Sequence, residues 1–291
     1  MRSDYTIGCD VLLDGGRKYY EISLVTNPKY SQLISPQRLY TSLSDDSVQI
    51  IDVRDRSRYE MGHIPGAVHL PPSALEGEEV VSGGALVTSQ MREPQICAQV
   101  LSAAGISDVL PIVLYDQGGS YLAARMWWML SVLGHGRCAI INGGYAAWSG
   151  DMAAVEYAEK QRDETDYIPN PQLQYRADFF DVLTVQANNG AILCDTMPRR
   201  HFERGSIPGS INLPYSRLFV GRPVPTIRRA FEAEAVFAAG GIENDDRVIF
   251  FCSTGYCASL AFFCARLLGM QRVAVYDGSM EDWTARGGRL E

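Results

Sequence analysis

Cys252 opens the run Cys252-Ser253-Thr254-Gly255-Tyr256-Cys257-Ala258-Ser259, and the residues around it suit a nucleophilic sulfur. Ahead of it, Arg247 to Phe251 reads as a short buried strand; behind it, Leu260 to Leu268 has a helical pattern closed by Gly269. Ser, Thr and Gly are poor core residues and good loop formers, so a strand, a tight loop and a helix start meet at the cysteine. That places the thiol at the carboxyl end of a parallel strand, where α/β sheets hold their ligands. Successive loop amides ahead of a helix N-terminus turn inward as an anion nest. Free cysteine titrates near ~8.5, and values of ~3.5 to 7.5 occur at helix N-termini. A persulfide carries the same charge one atom further out, so the same amides can hold both states of a sulfur carrier. This chemistry requires no metal and no organic cofactor.

The elements that must position the loop occur twice. Ile50-Ile51-Asp52 followed by Ile64-Pro65-Gly66-Ala67 returns as Leu193-Cys194-Asp195 followed by Ile207-Pro208-Gly209-Ser210, shifted by 143 positions (52 to 195). Val113-Leu114-Tyr115-Asp116 returns as Ile249-Phe250-Phe251-Cys252, shifted by 136, with Gly119 opposite Gly255. Asn142-Gly143-Gly144 and Trp148 return as Asp277-Gly278-Ser279 and Trp283, shifted by 135. Within each half, apolar runs alternate with helical patterns, the mark of βαβ units around a parallel sheet. The fold class is α/β: two similar domains in tandem, each a small parallel sheet flanked by helices. The division expected is an N-terminal extension at 1–31, a first domain at 32–152, an exposed polar linker at 153–176 and a second domain at 177–291. The position matching Cys252 holds Asp116, which cannot form a persulfide, so only the second domain is expected to be catalytic.

Bulk properties narrow the setting. A 46% apolar, 21% charged chain of 291 residues is globular, and no apolar run approaches the ~18 residues of a membrane span. A net charge of −8 without a basic cluster argues against nucleic acid. Seven scattered cysteines lack the paired spacing of a zinc site. Met1 to Gly15 shows no basic segment followed by an apolar core, so a cytoplasmic location is expected.

Tyr59-Glu60-Met61-Gly62-His63-Ile64-Pro65-Gly66-Ala67, Val275-Tyr276-Asp277-Gly278-Ser279 with Trp283, and Ala124-Arg125-Met126-Trp127-Trp128-Met129 together resemble the rhodanese superfamily. The likeness is to its tandem members, the thiosulfate and 3-mercaptopyruvate sulfurtransferases, and it covers nearly the whole chain. It implies a Cys252 persulfide held by Ser253, Thr254, Gly255, Tyr256, Cys257 and Ala258, with Asp116 as the degenerate counterpart. Thiosulfate-preferring members tend to carry cations in this loop. The loop here has none, which favours 3-mercaptopyruvate over thiosulfate as donor, with a thiol, cyanide or a thioredoxin-type protein as acceptor. A monomer or weak dimer is expected.

The chain departs from the pattern at Ser253, Thr254, Cys257, Met280 and Asp282, and Asp195-Thr196-Met197 lacks the arginine offered to an anionic substrate. Arg199, Arg200 or Arg204 is a candidate replacement, since guanidinium pairs bidentately with carboxylate. The resemblance also nominates His63 and Asp52 for proton movement with Thr254; a purely structural His63 is the competing reading. Cys257 is either a stand-in for a hydroxyl or a disulfide partner of Cys252. Phosphatases sharing this fold need arginine six residues after the cysteine, where Ala258 stands. A relay that passes sulfur only between proteins, and a thiosulfate-specific rhodanese, are the remaining alternatives.

Overall fold

The repeated apolar runs form the middle strands of two five-stranded parallel sheets. The computed structural model describes residues 11–14, 17–20, 32–43, 48–81, 84–152 and 154–291. Near the start, β1 (Val11–Asp14) pairs antiparallel with β2 (Arg17–Tyr20); the rest of the 1–31 extension lies outside the described residues.

The first half runs through β3 (Leu33–Ile34), α1 (Pro36–Tyr40), β4 (Gln49–Asp52), α2 (Arg56–Glu60) and β5 (Ala67–His69). A hairpin of β6 (Glu76–Val80) and β7 (Leu86–Met91) follows, then α3 (Pro94–Ala103), β8 (Ile112–Tyr115), α4 (Tyr121–Val132), β9 (Cys138–Ile141) and α5 (Gly144–Asp151). The second half repeats this plan with β10 (Arg176–Ala177), α6 (Phe179–Asn188), β11 (Ile192–Asp195), α7 (Arg199–Phe202) and β12 (Ile211–Asn212). Its hairpin is β13 (Phe219–Val220) and β14 (Thr226–Ile227), followed by α8 (Ala230–Ala239), β15 (Val248–Phe251), α9 (Tyr256–Leu267), β16 (Val273–Tyr276) and α10 (Ser279–Ala285). Strand orders β3-β9-β8-β4-β5 and β10-β16-β15-β11-β12 correspond position by position.

Central strands β4, β8 and β15 are buried at every residue, as strands covered on both faces must be. Ser35 caps α1 by accepting from the Arg38 amide at 3.3 Å, with Pro36 in the first turn. Helices α4 and α9 are apolar around most of their circumference because each covers its own sheet and also packs on the other. Trp127 meets Phe263 edge-on at 5.0 Å and Phe262 at 6.1 Å, so one core runs through both halves.

The hairpins are exchanged across this interface. From the first half, the Met91 amide donates to Asp277 Oδ2 at 2.9 Å and the Thr88 amide to Glu281 at 2.8 Å. From the second, the Ile227 amide donates to Asn142 Oδ1 at 2.8 Å. Asn142 and Asp277 are repeat equivalents, so the two latches mirror one another.

Two expectations need correction. Helix α9 starts at Tyr256, directly after the loop, so Tyr256, Cys257 and Ala258 form its first turn. The left-handed residue before each helix is Ser120 (φ +59°) and Gly255 (φ +87°), so Ser120, not Gly119, stands opposite Gly255 and the one-residue drift falls inside this loop. The polar 153–176 segment is largely exposed, and its backbone is tied to the first half. His63 and Glu156 form an antiparallel bridge, Asn170 donates to Leu133 O at 2.8 Å, and Tyr167 is buried. Backbone groups lying against a core must find partners, whatever the side chains' polarity.

Candidate active site

Strand β15 carries the chain to Cys252, where the backbone is pinned on both sides. The Cys252 amide donates to Ser279 Oγ at 3.2 Å, and Ser279 passes its own proton to Tyr276 O at 2.8 Å. The amides of Met280 and Glu281 at the start of α10 donate to Cys252 O (3.0 Å) and Ser253 O (3.1 Å). So fixed, the loop turns back through Gly255, whose amide donates to Cys252 Sγ at 3.1 Å.

The sulfur belongs to the hydrophobic core, yet donors converge on it. Burial is the largest influence on its ionisation and opposes charge; the Cys257 thiol and the amides of Ala258, Thr254 and Cys257 outweigh it, holding Cys252 down at about 6. Thiolate therefore predominates at neutral pH. Cys257 is driven far up, first by donating to the Cys252 sulfur and then by its own burial. Cys252 is 2% exposed. Ser253 beside it is exposed, and Thr254 and Cys257 are half-buried. By contrast burial alone raises Cys138, and burial is the leading cause of the upward shift at Cys97, Cys194 and Cys264, all core thiols.

In the first half the same loop is already filled. Asp116 Oδ1 accepts from the amides of Gly118 (2.9 Å) and Ser120 (3.2 Å), and Oδ2 from Leu122 (3.2 Å) and Ala123 (3.5 Å). A carboxylate thus occupies the nest that a sulfur anion occupies in the second half.

The other candidates are not gathered around the thiol. Arg199 is 82% exposed and tied to Glu203 at 2.7 Å, and Arg200 and Arg204 are exposed on and beyond α7. Asp52 is fully buried between the Arg54 fork (2.6 Å) and the Tyr115 hydroxyl (2.6 Å). His63, also fully buried, stacks on Tyr59 at 3.8 Å and contacts Tyr59 O through Nδ1 at 2.9 Å. Both are bound to their own half, so their geometry is structural. The aspartate-to-arginine pair absent from the second half is intact in the first, as Asp52 and Arg54. At the equivalent place the Met197 amide and Ser206 Oγ hold buried Asp195 at 2.8 and 2.7 Å.

Two residues escaped the sequence reading although both lie in quoted motifs. Ser279 anchors the Cys252 amide, and Arg125, fully buried on α4, lies against Gly255 from behind. The first role appears only when the start of α10 meets the end of β15, and the second only when the halves are docked.

The family model for the rhodanese-like domain matches residues 35–151 and 181–286. The chain belongs to the rhodanese family, with one such domain in each half. It is 28% identical over 267 residues to the 3-mercaptopyruvate sulfurtransferase of Escherichia coli K12, covering 84% of this chain and 92% of that one. It is 26% identical to the thiosulfate sulfurtransferase of Pseudomonas aeruginosa PAO1, covering 86% and 93%. The crystal structure of SseA from Escherichia coli, described as a 3-mercaptopyruvate sulfurtransferase with the rhodanese fold, superposes with a TM-score of 0.77 at 26% identity, covering 85% of this chain and 98% of that one. Wild-type EanB shares the fold at a TM-score of 0.80 and 23% identity, over 90% of this chain and 69% of EanB. Among the described residues, no helix is long and apolar enough to cross a membrane.

Proposed function

We propose that the chain is a sulfurtransferase that takes a sulfane sulfur onto Cys252 and passes it to a thiophilic acceptor, with 3-mercaptopyruvate as preferred donor. The observation carrying this reading is a depressed thiol at a strand end, accepting from the Gly255 amide at 3.1 Å. The thiolate attacks the donor sulfur. For 3-mercaptopyruvate the carbon–sulfur bond breaks, the carbon takes the proton from the donor thiol, and pyruvate leaves. For thiosulfate the sulfur–sulfur bond breaks and sulfite leaves. Either way the product is a Cys252 persulfide anion stabilised by loop amides. A thiol, cyanide or thioredoxin-type acceptor then removes the outer sulfur. Residues 177–291 act as the catalytic domain, 32–152 as its non-catalytic partner and 153–176 as the connection.

The uncharged loop supports 3-mercaptopyruvate. Met197, standing where the first half has Arg54, favours a second reading in which sulfur arrives from a protein and no small anion is bound. Initial rates with each donor and a common acceptor decide. The proposal expects pyruvate release to exceed sulfite release at least ~10-fold in kcat/KM, about 1.4 kcal/mol of transition-state preference. Preference for thiosulfate would overturn the donor assignment, and no turnover of either would favour the relay.

A further inference from the structure

Arg125 stands behind the cysteine loop, and the sulfur chemistry above does not use it. It belongs to α4 of the first half and is fully buried. Its Nε donates to Glu76 Oε1 at 3.0 Å, and its Nη2 to Asp277 Oδ1 at 2.7 Å and Ser89 O at 2.5 Å. Asp277 is also bound by Arg176 at 3.1 Å, and the Tyr256 hydroxyl donates to Glu76 Oε2 at 2.7 Å. The guanidinium lies over the Trp128 ring at 4.6 Å and the Tyr256 ring at 5.3 Å. Its Nη1 is buried without a partner, and a methyl group placed on Gly255 would sit 2.8 Å from it.

The repeat makes this arrangement one-sided. Arg125 corresponds to Leu260 in α9, and Asp277 to Asn142, so a buried cation and its carboxylate occur only on the Cys252 side of the interface. A neutral amide serves the other latch equally well. A buried charge network is costly to assemble and is weak evidence for stability. With two arginines balanced by two carboxylates, its net field at the sulfur is small. What it fixes is position, because Gly255 is wedged against Nη1 while its amide faces Sγ.

We propose that Arg125 is a positioning residue for the persulfide loop: reaching across from the first half, it holds Gly255 so that the Gly255 amide stays on the Cys252 sulfur. The seat for anionic sulfur is then assembled from both halves, and the first half is a working part of the site. This rests on Cys252 being the sulfur carrier, but its test needs no sulfur donor. The pH dependence of Cys252 alkylation by iodoacetamide, followed on the Cys252 peptide by mass spectrometry, is compared in wild type, Arg125→Met, Arg125→Lys and Tyr256→Phe.

The midpoint in Arg125→Met is expected to rise by about one pH unit, as for loss of one hydrogen bond to a charged group. Arg125→Lys keeps the charge but not the fork and stays shifted; Tyr256→Phe, which loses only the tie to Glu76, shifts upward by less. If circular dichroism shows Arg125→Met unfolded, the other two variants carry the test. Unmoved midpoints in the folded variants would overturn the proposal, and so would full recovery in Arg125→Lys, which would assign the effect to charge. A wild type whose midpoint lies near 6 and moves in the variants, yet takes up no sulfur, would instead sink the proposed function and leave Arg125 as a positioning residue for the Cys252 thiolate alone.

Discussion

Cys252 and Cys257 illustrate how one residue type takes opposite characters five positions apart. The first is buried yet ionises at about 6, because donors converge on it; the second donates to it and stays protonated. Activity governed by the Cys252 thiolate should therefore rise as pH passes upward through about 6 and level off above it. Removing the thiol donor in Cys257→Ala is expected to raise the midpoint of Cys252 alkylation by about 1 to 2 units, while Cys257→Ser, which keeps a donor, moves it less. Identical midpoints for Cys257→Ala and wild type would show that the amides alone hold the charge. The place of Cys252 at a strand end, ahead of a loop, was legible because loop formers follow it and its counterpart in the repeat is Asp116. That Cys257 points a proton at it was not legible, since five residues of separation leave the direction of a side chain open.

At the scale of elements, the strand–loop–helix unit depends on a left-handed residue at the helix start. The periodicity places the start of α9 four residues late because Gly255, not Ser, Thr, Asn or Asp, immediately precedes Tyr256; the cap position is filled by backbone conformation at Gly255, not by a side chain. Ser120 shows that the first half tolerates a side chain in that conformation. Gly255 does not have the space. An added methyl would meet Arg125 Nη1 at 2.8 Å and Asp277 O at 3.0 Å, on top of the left-handed penalty of ~1–2 kcal/mol. Gly255→Ala is therefore expected to cost about 2–4 kcal/mol in urea unfolding and to slow Cys252 alkylation at neutral pH. A loss below about 1 kcal/mol, no more than an unstrained surface change, would mean the loop is looser than its contacts imply. The exposure of the 153–176 segment follows its polar composition, whereas the backbone hydrogen bonds that tie it to the first half leave no mark in composition.

Across the whole molecule, the tandem repeat and the α/β class could be read from spaced motifs, because buried strands and glycine turns leave strong local marks. What joins the halves leaves none. The exchanged hairpins, the α4–α9 contact and the reach of Arg125 toward Gly255 are products of docking, and the residues involved lie up to 207 positions apart, as Glu79 and Arg286 do. Cys252 is 2% exposed and surrounded by donors. The most direct measurement of the central claim is the intact mass of the protein after incubation with 3-mercaptopyruvate or thiosulfate in the absence of acceptor. A gain of ~32 Da, located on the Cys252 peptide, discharged by a thiol and absent from Cys252→Ser, is the expected covalent intermediate. An unchanged mass with both donors, or an equal gain in Cys252→Ser, would contradict it.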